Sequence, residues 1–338
     1  MIRSRLIPRS AVWALDFGES TVSVLAGCEK TPGQWQLLGE GRCRAEGRPN
    51  GEITKLSDAC ESVTEALRQA EKSAGLHCRK LYFNLDDAGM TTAHPSGSKT
   101  LSGEGQIRRE DVRAAAKSAS RMAGDFERVP VYVRDVHYLI DGKDPVGDPV
   151  GVFGHRLDVT LHMILARASE LERWKNVMRR AAIERFVPIL SLESCLYGLL
   201  ERTEERRILW DLGGDFISGA LVERGALREY KIFLSRGMKE AEWSAQVEAV
   251  SRRWMHEQGA SDTLVLTGDR AAEGRWTLKT VTAAPKALPS HSETSNASVV
   301  GLLLAASHRE RRLSSVKSGG QWARQAREKA NAFLQEYF

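Results

Sequence analysis

Cysteine is scarce and unpatterned: Cys28, Cys43, Cys60, Cys78 and Cys195 are five in number, with no C-x-x-C spacing. A disulfide framework or a structural zinc site needs paired spacing, so both are excluded and the thiols read as reduced, as in a cytosol. Long apolar runs are missing as well. Ala11 to Leu15 is cut short by Asp16, which argues against a signal peptide. Val299 to Ala306 falls far below the ~20 residues that span a bilayer. Neither charge sign dominates. With 49 Lys and Arg against 44 Asp and Glu, the net charge of +5 is too small to point to nucleic acid and compatible with an anionic membrane surface. Common catalytic signatures are absent too. GSKT (97–100) lacks the order of a P-loop. There is no G-x-S-x-G, so Ser191 and Ser194 beside Cys195 read as helix-start residues. His155 and His162, seven apart in one strand, face opposite ways and cannot share a metal.

What is present is a soluble globular profile of 338 residues, 42% hydrophobic and 28% charged, long enough for two domains with separate cores. Ala11 to Gly27 (AVWALDFGESTVSVLAG) reads strand, turn, strand, and Gln34 to Arg44 supplies a third strand. From Ile53 to Ala74 the spacing turns helical, with Leu56, Ala59, Val63, Ala66 and Leu67 on one face and Ser57 or Asp58 as cap. Lys80 to Leu85 is a strand. Residues 88–105 are rich in Gly, Ser, Thr and Pro and mark an inserted segment, followed by a helix over 109–122 and strands over 129–141 and 156–166. Ala168 to Ile183 is helical. Then the first pattern recurs: Ile208 to Tyr230 (ILWDLGGDFISGALVERGALREY) is again strand, D-x-G, strand and Gly turn, and Thr263 to Gly268 is a strand ending in Gly. Two such hairpins imply a duplicated α/β unit facing a shared cleft.

The order of these pieces resembles the bacterial cell-division protein FtsA, of the actin-like superfamily. The resemblance is carried by ALDFGESTVSVLAG (14–27), GEITKLSDACESVTEALRQAE (51–71), REDVRAAAKSAS (109–120) and HYLIDGKDPVGDPVGVFGHRLDVTLHMI (137–164). It continues through PILSLESCLYGLLE (188–201), the second hairpin, LTG (266–268) and ASVVGLLLA (297–305). It implies an α/β, actin-like (duplicated RNase H-like) fold with an inserted 1C-type subdomain. The division expected is 1–87 with 167–190 as the first actin-like subdomain, 88–166 as the insertion and 191–307 as a reduced second subdomain. A basic linker over 308–320 and an amphipathic helix over 321–338 complete it. Only 26 residues separate Gly237 from Leu264, enough for one helix. The outer subdomain of the second half, which in FtsA-like proteins receives the FtsZ tail and contributes to polymerisation, is therefore expected to be largely missing.

The resemblance also implies ATP and Mg2+ in the cleft, held by Asp16, Gly18, Ser20, Asp211, Gly213, Gly214, Gly237 and Gly268, with Asp16 on the metal through water. The bland reading of each D-x-G is a β-turn whose Asp caps its own backbone. Several positions depart from the family pattern: Glu19 replaces a hydroxyl residue, Asp215 a Gly, Phe216 a Thr and Ser218 an Asp, while Asp269 and Arg270 replace glycines. Added carboxylates beside a triphosphate cost roughly 4 kcal/mol per pair at 4 Å and intermediate dielectric, which argues for weak or lost ATP binding.

At the other end, QWARQAREKANAFLQEYF places Trp322, Phe333, Leu334, Tyr337 and Phe338 with three alanines on one helical arc of about 160°. Arg324 and Lys329 lie on the polar face and Arg327 at its edge, the pattern of a reversible helix at the headgroup boundary. The expectation is a scaffold at the cytoplasmic face of the membrane, with divisome partners at the 1C-like segment, FtsZ as a further candidate, self-association and no nucleic acid. The alternatives are a functioning actin-like ATPase that polymerises and a PilM-like adaptor of a pilus or secretion system.

Overall fold

A computed structural model describes residues 11–31, 33–123, 127–143, 145–200 and 205–317. The chain opens with β1 (Val12–Phe17), β2 (Thr21–Thr31) and β3 (Gln34–Arg44), an antiparallel meander. It continues through α1 (Leu56–Ala74) and β4 (Lys80–Leu85) into an inserted unit. That unit comprises β5 (Thr91–Ala93), β6 (Ser96–Gln106), α2 (Arg109–Met122), β7 (Arg128–Ile140) and β8 (Phe153–Arg167). The first sheet is completed after α3 (Ala168–Arg180) by β9 (Arg185–Leu190). α4 (Ser191–Leu199) leads to the second half: β10 (Arg207–Leu212), β11 (Phe216–Glu223), β12 (Ala226–Leu234), α5 (Glu240–Gln258), β13 (Thr263–Thr267) and β14 (Lys279–Thr282). α6 (Ala297–Lys317) follows.

The duplication is visible in the strand order. The first sheet runs β3-β2-β1-β4-β9 and the second β12-β11-β10-β13-β14. In each, a three-stranded antiparallel meander is extended by two parallel strands. Parallel strands need both faces covered, and the pleat shows it. Trp13, Leu15 and Phe17 of β1 enter the core under α1 and α3, while Val12 and Ala14 face α6. α1 earns its place through Ala59, Val63, Ala66, Leu67 and Ala70, all buried at helical spacing, and stops at Gly75 in the left-handed conformation (φ 65°). On the second sheet, Ile208, Trp210 and Leu212 meet Trp243, Val247 and Trp254 of α5. Trp210 stacks on Trp254 at 5.8 Å and donates its indole N–H to Ser251 Oγ at 3.0 Å. Between β12 and β13 there is α5 alone, so the second half lacks an outer subdomain, as the short interval predicts.

Several local expectations change. α1 starts at Leu56 rather than Ile53, with Lys55 as N-cap and no side-chain cap from Ser57 or Asp58. The preceding Pro49–Gly51 turn and the buried Ile53 hold the chain extended there. Residues 88–105, which composition marks only as an inserted segment, form β5 and most of β6 because β8 offers them an antiparallel edge. α3 ends at Arg180, since Ala182 takes a positive φ of 57°. The charged stretch read as a linker from 308 is helical through Lys317. Its first charges have partners on α4 and the first sheet: Arg309 on Glu193, Glu310 on Lys80 and Tyr82, Arg311 on Glu29. α6 also belongs by packing to the first sheet, because Val299, Val300, Leu302 and Leu303 are buried against Val12, Ala14, Leu25 and Tyr82. α4 and α6 cross so closely that a Cβ on Gly301 would stand 1.9 Å from the Ser194 carbonyl oxygen.

Candidate functional site

The parallel strands β1, β4, β9, β10 and β13 all end at the gap between the two sheets, the usual location of a binding crevice in α/β folds. Asp16 and Asp211 occupy equivalent positions near the ends of β1 and β10. The gap is a cavity of about 90 Å³, bounded by Asp16, Gly18 and Glu19 on one side and Asp211, Gly213 and Gly214 on the other. Gly268 and Asp269 after β13 and Ser298 at the start of α6 close it.

Its polar groups are largely turned on one another. Asp16 accepts hydrogen bonds from Ser298 Oγ at 2.5 Å and Asn84 Nδ2 at 3.3 Å. Burial raises its pKa, with those bonds and Arg48 pulling the other way. Asp86 accepts from Ser191 Oγ at 2.5 Å, and its other carboxylate oxygen is buried with no partner among the described residues. Burial, only partly offset by Ser191 and Arg48, pushes its pKa up to about 6. Asp211 faces a thiol donor, Cys195 Sγ, at 3.7 Å. Burial first, then the charges of Asp86, Asp16 and Asp269, push its pKa up to about 8. Asp269 is raised as well, by burial and by Asp16 and Glu19. The cleft is a nest of carboxylates that resist ionising together.

Of the residues expected to hold nucleotide, Asp16, Gly18, Asp211, Gly213, Gly214 and Gly268 line the cavity, and Ser20 and Gly237 do not. The Ser20 carbonyl accepts the Ala45 N–H at 2.9 Å, which directs this residue to the β3 side. Gly237 sits in the turn after β12 with φ 80° and open space around it. Two further lining residues are not singled out by the sequence reading: Arg48, in the R-P-N-G turn, and Asp86, directly after β4. Asp86 was the more findable, since a carboxylate at the end of a parallel strand points to the crevice. The residues expected to bind membrane, Trp322, Arg324, Arg327, Lys329, Phe333, Leu334, Tyr337 and Phe338, lie outside the described residues. No group of three or more His, Cys, Asp or Glu among the described residues is arranged to hold a metal ion. Folding does bring together one histidine pair: His162 Nδ1 lies 3.0 Å from His94 Nε2, and burial pushes His162 down to about 4.

The residues present do not fit a magnesium triphosphate. Phosphates need backbone N–H groups and hydroxyls open between the two hairpins. Here the Glu19 carboxylate stands over Gly214, with Oε2 1.6 Å from where a Cβ would be. Six acids border the cavity (Asp16, Glu19, Asp86, Asp211, Asp215 and Asp269), and Arg48 is the one Arg or Lys among its lining residues. Both oxygens of Asp16, the expected metal-side acid, are already engaged by Ser298 and Asn84.

Two sheets of identical order facing one crevice make this an actin-like fold, with α5 alone in place of the second outer subdomain. A PilM chain from a PilM–PilN type IV pilus biogenesis complex has the same architecture: TM-score 0.61 at 13% identity, covering 88% of this chain and 99% of that one. Residues 88–165 match the family model described as the SHS2 domain inserted in FTSA. The sequence is 26% identical over 230 residues to cell division protein FtsA of Bacillus subtilis, covering 65% of this chain and 50% of that protein. It is 25% identical over 228 residues to FtsA of Escherichia coli K12, covering 66% and 54%. Over about two thirds of its length the chain is thus similar in sequence to the bacterial cell-division protein FtsA, and its inserted unit matches the domain inserted in that protein. It spans about half the length of the curated relatives that it matches.

Proposed function

We propose that this protein is an FtsA-like cell-division scaffold that tethers division or cytoskeletal proteins to the cytoplasmic face of the membrane. Its cleft no longer works as an ATP switch. The observation that carries the reading is the pairing of an intact inserted domain with a crowded, acidic cleft. The inserted sheet keeps a full core around Leu157, Val159, Leu161 and Met163, and α2 covers it so closely that a Cβ on Gly97 would meet Ala119 N at 2.2 Å. A chain that retains a partner-binding module and fills its nucleotide site is organised for assembly rather than turnover. The divisome contacts belong on the 1C-like segment. FtsZ is the weaker partner candidate, because the subdomain that receives it in the family is absent.

The membrane contact is assigned to the aromatic and basic residues of 321–338. Among the described residues no helix is long and apolar enough to cross a membrane, and a peripheral helix needs none. Deleting residues 319–338 is expected to abolish co-sedimentation with vesicles containing anionic lipid; unchanged binding would sink the tether. A PilM-like adaptor is the second reading, favoured by the near-complete coverage of the PilM chain. Vesicle binding that depends on 319–338 supports the FtsA-like reading over it. A working ATPase is tested by titrating fluorescent ATP with Mg2+, where saturable, competable binding would restore the nucleotide switch.

A further inference from the structure

We infer that Arg48, Asp215 and Phe216 form a built-in clamp that holds the two halves of the cleft closed without any bound ligand. The inference rests on the reading that the cleft has lost its nucleotide. In two-lobed proteins that close around a ligand, the ligand supplies the bridge between the lobes. Here the bridge is made of side chains.

Arg48 comes from the first half and is only 9% exposed. Its guanidinium donates to the Phe17 carbonyl at 3.0 Å and the Asp86 carbonyl at 3.1 Å, tying together the ends of two strands of the first sheet. Its Nε finds no acceptor among the described residues, so aromatic faces supply the rest of its setting. Trp174 of the first half lies 5.5 Å from the guanidinium carbon, and Phe216 of the second half also lies 5.5 Å from it. A desolvated cation held between aromatic rings from both halves resists separation.

The neighbouring contacts converge on the same turn. The Phe216 ring sits on Gly51, with its edge 2.0 Å from where a Cβ would stand, so that only glycine admits it. Gly51 also has φ 71°, a second reason for glycine. Asp215 pairs with Arg236 at 3.4 Å, and its pKa, raised by burial, is pulled back by Arg236, by Arg48 and by the Gly51 backbone of that same turn. In the opposite direction, Glu19 of the first hairpin reaches Gly214 of the second. Consecutive residues of the second hairpin thus grip one turn of the first half, at the place where the fold would otherwise admit phosphate.

The test is hydrogen–deuterium exchange of the full chain, read at the peptides covering 49–53 and 213–217, with and without millimolar Mg-ATP. The expected result is protection of both peptides without nucleotide and no change on adding it. Phe216→Ala should raise exchange there about tenfold or more, the loss of one desolvated cation–π contact, while β10 and β13 stay protected. Arg48→Lys, which keeps the charge and loses the planar fork, should fall between. Should Phe216→Ala unfold the sheet, Asp215→Asn provides the milder break. The clamp is overturned if the variants keep their sheets and leave both peptides as protected as in the wild type. If the wild-type peptides become protected only on adding Mg-ATP, the clamp and the lost-nucleotide reading fail together. Protection without nucleotide combined with saturable ATP binding would remove the lost-nucleotide reading and leave the clamp standing.

Discussion

Asp211→Asn should stabilise this protein at neutral pH and do nothing in acid. The carboxyl has an ordinary value of 3.8 and is pushed up to about 8 by burial and by Asp86, Asp16 and Asp269. Below pH 3.8 the folded and unfolded chains both carry the proton and the group contributes no penalty. As pH rises toward 8, the unfolded chain ionises freely and the folded chain does not, so stability is progressively lost. At pH 7 the penalty from three units of mismatch reaches on the order of 4 kcal/mol. The carboxylate borders the cavity, where water relaxes around a charge, so about 2 kcal/mol is the figure to expect. An asparagine has the same shape, never ionises and relieves Asp86 and Asp16 of a neighbour. The assay is urea unfolding of wild type and variant at pH 4.5 and pH 7.5. The variant should gain about 2 kcal/mol at pH 7.5 and less than a third of that at pH 4.5. Equal stabilities at pH 7.5, or the same gain at both pH values, would refute the reasoning. The first would mean that Asp211 ionises without penalty, the second that its effect is packing.

Three further outcomes follow from packing. Gly301→Ala should lower stability by about 1–3 kcal/mol in thermal unfolding, because the added methyl drives α6 away from the Ser194 carbonyl. Glu193→Gln should cost about 2 kcal/mol, since the buried carboxylate receives Arg309 at 3.1 and 3.3 Å and faces Arg134 at 3.6 Å; an unchanged melting temperature would show that these arginines find water instead. Trp174→Ala should cost about 3–5 kcal/mol by emptying the core where Phe17 and Phe83 meet its ring at 5.5 and 5.4 Å.

Local pattern revealed the elements wherever a periodic face meets one neighbour. α2 spans 109–122 as its spacing predicts, and α5 occupies the short interval after Gly237. The paired D-x-G turns announced the duplication, because a tight turn at the end of a strand needs the same residues wherever it occurs. β6 was illegible: a Gly- and Ser-rich segment becomes a strand only because β8 presents an edge to it. The same holds for 308–311, whose polar composition reads as linker until Glu29, Lys80 and Glu193 are seen to pair with Arg311, Glu310 and Arg309.

The candidate site divides along the same line. Its glycines and its two strand-end aspartates were readable, since turn chemistry is local. The sequence by itself therefore determined the two hairpins, the inserted unit, the absence of an outer subdomain and the excess of acid near the cleft. Only the tertiary structure decided what fills that cleft. Arg48 and Phe216 stand 168 residues apart in the chain, and no propensity or spacing relates them. They meet because two sheets of equal strand order converge on one gap, and burial there makes a guanidinium, a ring and a glycine turn fit one another.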